Sequence, residues 1–215
     1  QAVPALRDDA AGRAVLDLAV ALLRAGARAL VASGGGPLVG ELQALGGEWL
    51  EFDFASSLLR RRRNAQALRD LMAVERVDLV HAQGAESAGC AAAGRRRGKV
   101  GLVTSYLGAP PPPSWTAPPQ AAMARGDIVV APSAFAADLI AARHKVRRER
   151  VVAIPPRLDL DAFDPALVSL ERVQALRAAW RIGRHDRVIL VPARVVPAQG
   201  QLTLVDAARL LANGG

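Results

Sequence analysis

The chain has 215 residues, 51% of them hydrophobic and 22% charged, with a formal net charge of +8 and a pI near 11.1. This composition excludes a disordered chain and allows one full domain with part of a second. No apolar run approaches the roughly 20 residues that span a bilayer, and residues 1–4 show no secretory signal. The single Cys90 cannot form an internal disulfide. We therefore expect a cytoplasmic protein.

The basic residues are almost all arginines, since lysine occurs only at positions 99 and 145. This bias indicates a GC-rich bacterial genome, and the excess positive charge favours anionic partners such as nucleotide diphosphates or phospholipid head groups. Nucleic acid is not expected as a partner, because the sequence lacks aromatic stacking platforms and any known binding motif. No metal is expected either, since His144, His185 and Cys90 lack the spacing of metal ligands.

Strand and helix patterns alternate along the first hundred residues. Short apolar runs predict strands at residues 2–6, 28–32, 48–52, 77–81 and 100–105. Apolar positions at helical spacing predict helices between them, at residues 11–25, 37–45, 58–74 and 85–96. A proline-rich loop then follows over residues 110–119, which cannot join a sheet because proline lacks the N–H donor.

The alternation resumes after this loop. Residues 127–131 and the run starting at residue 151 predict two strands, separated by a helix at 134–142. A helix at 169–180, a strand at 187–193 and a helix at 201–212 complete the chain. Because parallel strands need crossover connections, this order predicts an α/β fold. We expect a doubly wound, mostly parallel Rossmann-like sheet with helices on both faces and ligands at the carboxyl ends of its strands.

Five segments, in this order and spacing, resemble the GT-B glycosyltransferases of retaining family 4. They are VDLVHA at 77–82, VTSYLG at 103–108, DIVVAPSAF at 127–135, VVAIPPRLDLDAFDP at 151–165 and RVILVPAR at 187–194. The resemblance covers nearly the whole chain. It implies a Rossmann-like acceptor-side domain at residues 1–168, a helical linker at 169–186 and a truncated start of the donor-binding domain, one βα unit, at 187–215.

The resemblance also implies an activity, namely transfer of a sugar from a nucleotide-sugar to a lipid or polysaccharide acceptor of the cell envelope, without a cofactor. The candidate contacts to the donor diphosphate are Arg194, Gln199 and Gly200. The candidates for the acceptor cleft are His81, Tyr106 and Ser133. No catalytic residue is identified.

Simpler interpretations stand beside three of these candidates. His81 at a strand end is equally typical of a histidine that only hydrogen-bonds the neighbouring loop. Ser133 precedes a helix, where a hydroxyl commonly caps free N–H groups without binding any ligand. Arg194 is also typical of a solvated surface arginine.

The chain departs from the family pattern at several positions. The glycine pair of the first loop is replaced by Asp8-Asp9, and two carboxylates would repel a diphosphate. Leu107 replaces the histidine of the family segment, and Gln199 replaces the donor-binding lysine. The glutamates that bind the donor in the family would lie beyond residue 215. We therefore expect this chain, a fragment or a degenerate relative, to be inactive by itself and its truncated unit to dock on the first domain or self-associate.

A non-catalytic binding module is the alternative function. Its basic surface would contact a protein partner or the anionic inner face of the membrane, where each arginine contributes about 1 kcal/mol. The candidate membrane-contacting residues begin the helix predicted at 58–74, and they are Arg60, Arg61, Arg62 and Arg63. Four consecutive residues surround a helix rather than define one face, so a solvated helix start is the competing interpretation.

Overall fold

The computed structural model describes residues 1–54, 58–96, 98–107, 120–157, 160, 163–193, 195–196 and 199–213, without the side chains of residues 58, 59, 61, 120, 212 and 213. Its contacts divide the chain into two compact units, Gln1–Arg157 and Leu158–Gly215. No helix in these described residues is long and apolar enough to cross a membrane.

Strands and helices alternate in the first unit, as the sequence predicts. The strands are β1 (Leu30–Ser33), β2 (Glu48–Glu51), β3 (Leu79–Gln83), β4 (Gly101–Ser105), β5 (Ile128–Ala131) and β6 (Val151–Ala153). The helices are α1 (Ala10–Arg24), α2 (Val39–Ala44), α3 (Leu58–Val74), α4 (Ala85–Gly94) and α5 (Ala134–His144). Short 3-10 helices precede β5 and β6, at Gln120–Arg125 and Arg148–Arg150.

All the strand pairs are parallel. β1 pairs with β2, and β3, β4, β5 and β6 follow one another in a second group. Ala2 bridges both Ala32 on β1 and Ala82 on β3, and so joins the two groups. The resulting strand order is that of a doubly wound sheet. From Ala2 the chain adds β1 and β2 on one side, and it then adds β3 to β6 on the other side. The predicted fold class is confirmed.

The strand predicted at residues 2–6 is wrong beyond its first residues. The backbone of Gln1–Val3 hydrogen-bonds to β1 and β3, including Val3 N to Ala32 O at 3.1 Å and Ala2 N to His81 O at 2.8 Å. Pro4 follows and has no N–H to continue the ladder. Leu6 N instead donates to Gly35 O at 2.8 Å, so the segment becomes a loop at the sheet edge.

The strand predicted at residues 77–81 lies two residues later, at β3. Arg76 has φ of +52°, a left-handed conformation that closes the end of α3. Val77 N donates to Met72 O at 2.9 Å and therefore still belongs to the turn that ends the helix. Hydrophobic pattern alone does not distinguish such a closing residue from the first residue of a strand.

The core lies in two clusters. One contains Val15, Leu16, Leu38 and Leu42, from α1 and α2 and the turn before α2. The larger one includes the central strands and the helices α3, α4 and α5, with Leu102 and Ile140 fully buried. Helices α3 and α4 approach closely at Gly94, where a Cβ atom would lie 2.5 Å from Ala65 O. Only glycine permits this contact.

The second unit contains a 3-10 helix (Pro165–Leu167), α6 (Leu170–Ala179) and α7 (Gln201–Asn213). The strand predicted at residues 187–193 is wrong, because these residues form no strand, and Ile189 and Leu190 are 61% and 60% exposed. A strand needs a partner for its N–H and C=O groups. The described residues of this unit provide no other strand. The domain limits at 168 and 186 remain a prediction.

Candidate functional site

The carboxyl edge of the sheet is the expected ligand site of a doubly wound fold. Such folds bind ligands where neighbouring connections diverge to opposite sides. Here this point lies between Ala2 and β3, so the loop after Ala2 and the turn at Gln83-Gly84 border the crevice. Gly84 has φ of +106°, and a Cβ atom there would lie 3.1 Å from the Pro4 ring. Glycine therefore allows the two segments to approach closely.

Gln83, the last residue of β3, is a site residue that the sequence did not indicate. Its side chain is 6% exposed. Its Nε2 lies 3.5 Å from Gln1 Oε1, while its Oε1 is buried and has no partner among the described residues. A buried acceptor without a donor destabilises a fold and is rare in native structures. Glutamine has no local sequence pattern that signals such a role.

His81 lies on β3 and hydrogen-bonds to the adjacent strand. Its Nε2 is 2.5 Å from Ser105 Oγ on β4. Burial lowers the pKa of His81 to about 4. The ring is therefore neutral at pH 7 and interacts through hydrogen bonds rather than through a charge.

Tyr106 directly follows β4 and is buried. Its ring stacks on His144 of α5, with centroids 6.2 Å apart and planes inclined by 28°. Burial raises the pKa of the Tyr106 phenol to about 12, so it stays protonated at neutral pH. The next residue, Leu107, is 52% exposed at the position where the family segment carries histidine. It brings an apolar side chain to this edge of the sheet.

Ser133 caps the start of α5, as the simpler of its two interpretations predicts. Its Oγ accepts a hydrogen bond from Ala136 N at 3.1 Å. This bond satisfies one of the free N–H groups at the helix start and uses the hydroxyl as an acceptor. Among the described residues the hydroxyl proton has no acceptor.

The Asp8-Asp9 pair is held by neighbouring groups. Asp9 Oδ1 accepts from Gly12 N at 3.0 Å and caps α1. Asp8 pairs with Arg13 at 2.9 Å, and Arg13 also contacts Glu41 of α2 at 2.8 Å. These charges therefore connect the loop to α1 and α2, and one arginine is shared by two carboxylates. The excess of negative charge at this loop opposes a diphosphate.

The candidate donor-diphosphate residues lie in the second unit. Gly200 precedes α7 with φ of +73°, and Gln199 N donates to Val196 O at 3.0 Å. Both residues are exposed. Arg194 lies outside the described residues. Among the described residues there is no group of three or more His, Cys, Asp or Glu side chains that could hold a metal ion.

The candidate membrane residues begin α3. Arg60 lies 3.6 Å from Asp53 in an exposed ion pair. Arg62 and Arg63 are exposed, and the side chain of Arg61 is outside the described atoms. Leu68 and Met72 are buried in the larger core cluster, so the exposed arginines precede the part of α3 that packs in the protein.

Comparison with solved structures identifies the fold. The structures that share it include a glycosyltransferase from Rickettsia africae, 22% identical with a TM-score of 0.81, and Anabaena HepE in complex with UDP, 18% identical with a TM-score of 0.73. They are matched by 98% and 97% of this chain, which spans 57% of the length of each. The architecture is the N-terminal half of a GT-B glycosyltransferase.

Sequence comparison gives the family. The model of Glycosyltransferase Family 4 matches residues 11–162, which is most of the chain. The chain belongs to this family, and the resemblance carried by its motifs is confirmed. No curated protein matches the sequence.

Proposed function

We propose that this chain provides the acceptor-side half of a glycosyltransferase that transfers a sugar from a nucleotide-sugar to a lipid or polysaccharide acceptor. The family match over residues 11–162 carries the proposal. The complexes of Anabaena HepE with UDP, and with UDP and glucose, support a nucleotide-sugar donor. Gln83 at the carboxyl edge of the sheet joins His81, Tyr106 and Ser133 as an acceptor-side candidate, and the proposal rests on Gln83 and on His81, two residues before it on β3.

These two side chains suit the recognition of hydroxyl groups. The partnerless Oε1 of Gln83 accepts a hydrogen bond, which a sugar hydroxyl donates. Neutral His81 offers a donor or an acceptor, and Ser105 on the next strand orients it. With a pKa of about 4, His81 is a weak base and positions an acceptor rather than removing its proton.

Replacing Gln83 with leucine tests this assignment. We expect Gln83→Leu to weaken binding of a sugar acceptor about tenfold, which corresponds to one lost hydrogen bond. The variant should change its thermal midpoint little, because the lost bond from Nε2 to Gln1 is long, at 3.5 Å, and the change also removes a buried acceptor that has no donor. Calorimetric titration with polysaccharide fragments and glycolipid head groups measures the binding.

Gln43→Leu is the matched control, since Gln43 is exposed on α2. It should leave binding unchanged. Equal binding by the native chain and Gln83→Leu would contradict the role of Gln83. No binding of any acceptor by the native chain would contradict the proposed function itself.

We also propose that the 215-residue chain transfers no sugar by itself. Asp8-Asp9, Leu107 and Gln199 each replace a group that the family uses, and all three changes weaken attraction for a diphosphate or a hydroxyl. The test is UDP release from UDP-glucose in the presence of acceptor. Release above the buffer rate by the purified chain, absent after heat denaturation, would refute the inactivity.

Peripheral contact with anionic membrane, through the start of α3, is a further part of the proposal. Exposed Arg62 and Arg63 support it. We expect the chain to co-sediment with phosphatidylglycerol vesicles at low salt, and Arg62→Gln with Arg63→Gln to reduce the bound fraction several-fold, since each arginine contributes about 1 kcal/mol. A bound fraction that changes neither with salt concentration nor with these substitutions would contradict an electrostatic contact through α3.

A further inference from the structure

The amino edge of the sheet carries a second concentration of charge. β4, β5 and β6 are neighbours in one parallel group, so the segments that lead into them meet at the same edge. Gly98 precedes β4, Arg125 ends the 3-10 helix before β5, and Arg147 and Arg150 precede β6. This edge is separated from Gln83 and the carboxyl edge by the length of the strands, roughly 15 Å.

An open pocket of about 430 Å³ lies at this amino edge. The residues that line it are Gly98, Arg125, Asp127, Arg147 and Arg150. Three guanidinium groups and one carboxylate thus surround one space. Arg125 comes from one segment, Arg147 and Arg150 come from another that follows more than twenty residues later, and the structure brings the two segments together.

The negative charge of the Asp127 carboxylate is already neutralised by Arg95. Arg95, whose side chain is 3% exposed, donates to both of its oxygens, with Nη2 2.9 Å from Oδ1. Leu102 N donates to Oδ2 at 2.9 Å. Asp127 is therefore the partner of a buried cation outside the pocket lining. The positive charge of the three lining arginines remains in excess.

Arg150 is held in place by backbone carbonyl groups. Its Nη2 donates to Gly126 O and to Ala124 O, the latter at 3.4 Å, and its Nε lies 3.4 Å from Asp127 O. These bonds leave its Nη1 without a hydrogen-bond partner in the part of the chain that the structure describes. One guanidinium of the pocket is thus fixed before any ligand binds, which lowers the entropy lost on binding.

Arg125 and Arg147 are exposed, and within the described residues neither has an ion pair or a side-chain hydrogen bond. Arginines in the last turn of a helix are explained by the negative end of the helix dipole, an effect confined to that turn. Arg147 lies outside such a turn, since α5 ends at His144. Arg125 is in the last turn of the 3-10 helix Gln120–Arg125, so the helix dipole accounts for its position in part. Like charges around one pocket repel each other, and a bound anion offsets this repulsion.

We propose that this pocket binds a phosphate group, either as free inorganic phosphate or as the phosphomonoester head group of a lipid. Guanidinium groups bind phosphate through paired, charge-assisted hydrogen bonds, and three of them surround a volume that admits one such group. The site lies on the opposite edge of the sheet from the candidate sugar site. It is therefore independent of the proposed transferase function.

Calorimetric titration of the 215-residue chain with inorganic phosphate tests the site. Arg125→Gln combined with Arg147→Gln should weaken binding about tenfold or more, because charge-assisted hydrogen bonds are lost while Arg150 and its anchoring bonds remain. The matched control is Arg172→Gln with Arg184→Gln, which removes the same charge from exposed positions of the second unit. It should leave phosphate affinity within about twofold of the native value.

Vesicle binding distinguishes the two sources of phosphate. A preference for phosphatidate over phosphatidylglycerol vesicles supports a lipid head group if the Arg125 and Arg147 variant loses it. The Arg62 and Arg63 variant should keep this preference even where it binds both kinds of vesicle more weakly. Binding of inorganic phosphate without this vesicle preference supports the free ion. Equal weakening by the control pair, or no phosphate binding by the native chain, would overturn the proposal, whereas an effect of Gln83→Leu on sugar binding leaves it untouched.

Discussion

Replacing Leu102 with alanine is expected to lower the free energy of unfolding by about 3 kcal/mol, in the range for buried leucines. Leu102 is fully buried on β4, the strand between β3 and β5, and it belongs to the larger core cluster. Its truncation leaves a cavity that the paired strands on both sides cannot close by moving. Urea unfolding should show a lower midpoint with an unchanged slope.

The control is Leu79→Ala on the neighbouring strand. Leu79 pairs with Gly101 in the register of β3 with β4, yet it is 55% exposed. Its truncation removes little buried surface, and the expected change is within about 0.5 kcal/mol. Equal losses for the two variants would show that the core is not centred on β4.

Alternation of apolar strands and amphipathic helices is the part of the fold that the sequence predicts well. The prediction of α3 at residues 58–74 agrees with the structure at both ends, and α1 differs by one residue at each end. The parallel sheet follows from this alternation, because each crossover helix returns the chain to the same edge. Local patterns carry this information since helix and strand periods differ.

Predictions failed where a strand depends on more than its own residues. Residues 2–6 are apolar enough for a strand, but Pro4 ends the pairing after Val3. Residues 187–193 have an equally good strand pattern, but they remain exposed and pair with no other strand among the described residues. Strand propensity describes a conformation that a segment tolerates, whereas pairing with a neighbouring strand decides whether the segment forms a strand.

The candidate site was predictable only in part for a similar reason. Tyr106 and Ser133 lie just beyond strand ends, which the order of elements indicates. His81, predicted at the end of a strand, is instead the middle residue of β3, because that strand lies two residues later than predicted. The partnerless Oε1 of Gln83 depends on the packing around it, and no sequence pattern reports that. The arginine pocket is lined by segments that precede three strands. It could be predicted only from the order of these strands in the sheet, which the sequence alone does not give.

Removing the carboxylate of Asp127 is expected to destabilise the first unit by about 2 kcal/mol. Asp127→Ala would leave Arg95 with a buried charge, 3% exposed, and the Nε of Arg95 already lacks a partner among the described residues. Breaking a fully buried pair costs about 3–5 kcal/mol. Asp127 itself is 57% exposed, so water reaches the pair from one side and reduces the cost. Urea unfolding at pH 7 measures it.

Asp138→Ala is the matched control, because it breaks the Arg148–Asp138 pair, in which both side chains are exposed. Such an exposed pair contributes about 0.2–1 kcal/mol, so its loss should cost clearly less than Asp127→Ala. A destabilisation equal to that of Asp127→Ala would mean that the burial of Arg95 is not the source of the effect.

The pH dependence gives an independent check on the Asp127 pair. Hydrogen bonds from Arg95 lower the pKa of Asp127 below its ordinary value of 3.8. A carboxyl group whose pKa is lower in the folded state stabilises the fold above its unfolded pKa, and this contribution is lost as the pH falls through the folded pKa. The difference in stability between the native chain and Asp127→Ala should therefore be constant above about pH 5 and shrink below pH 4. A difference that grows on acidification would contradict the pairing, because protonation removes the charge that holds Arg95.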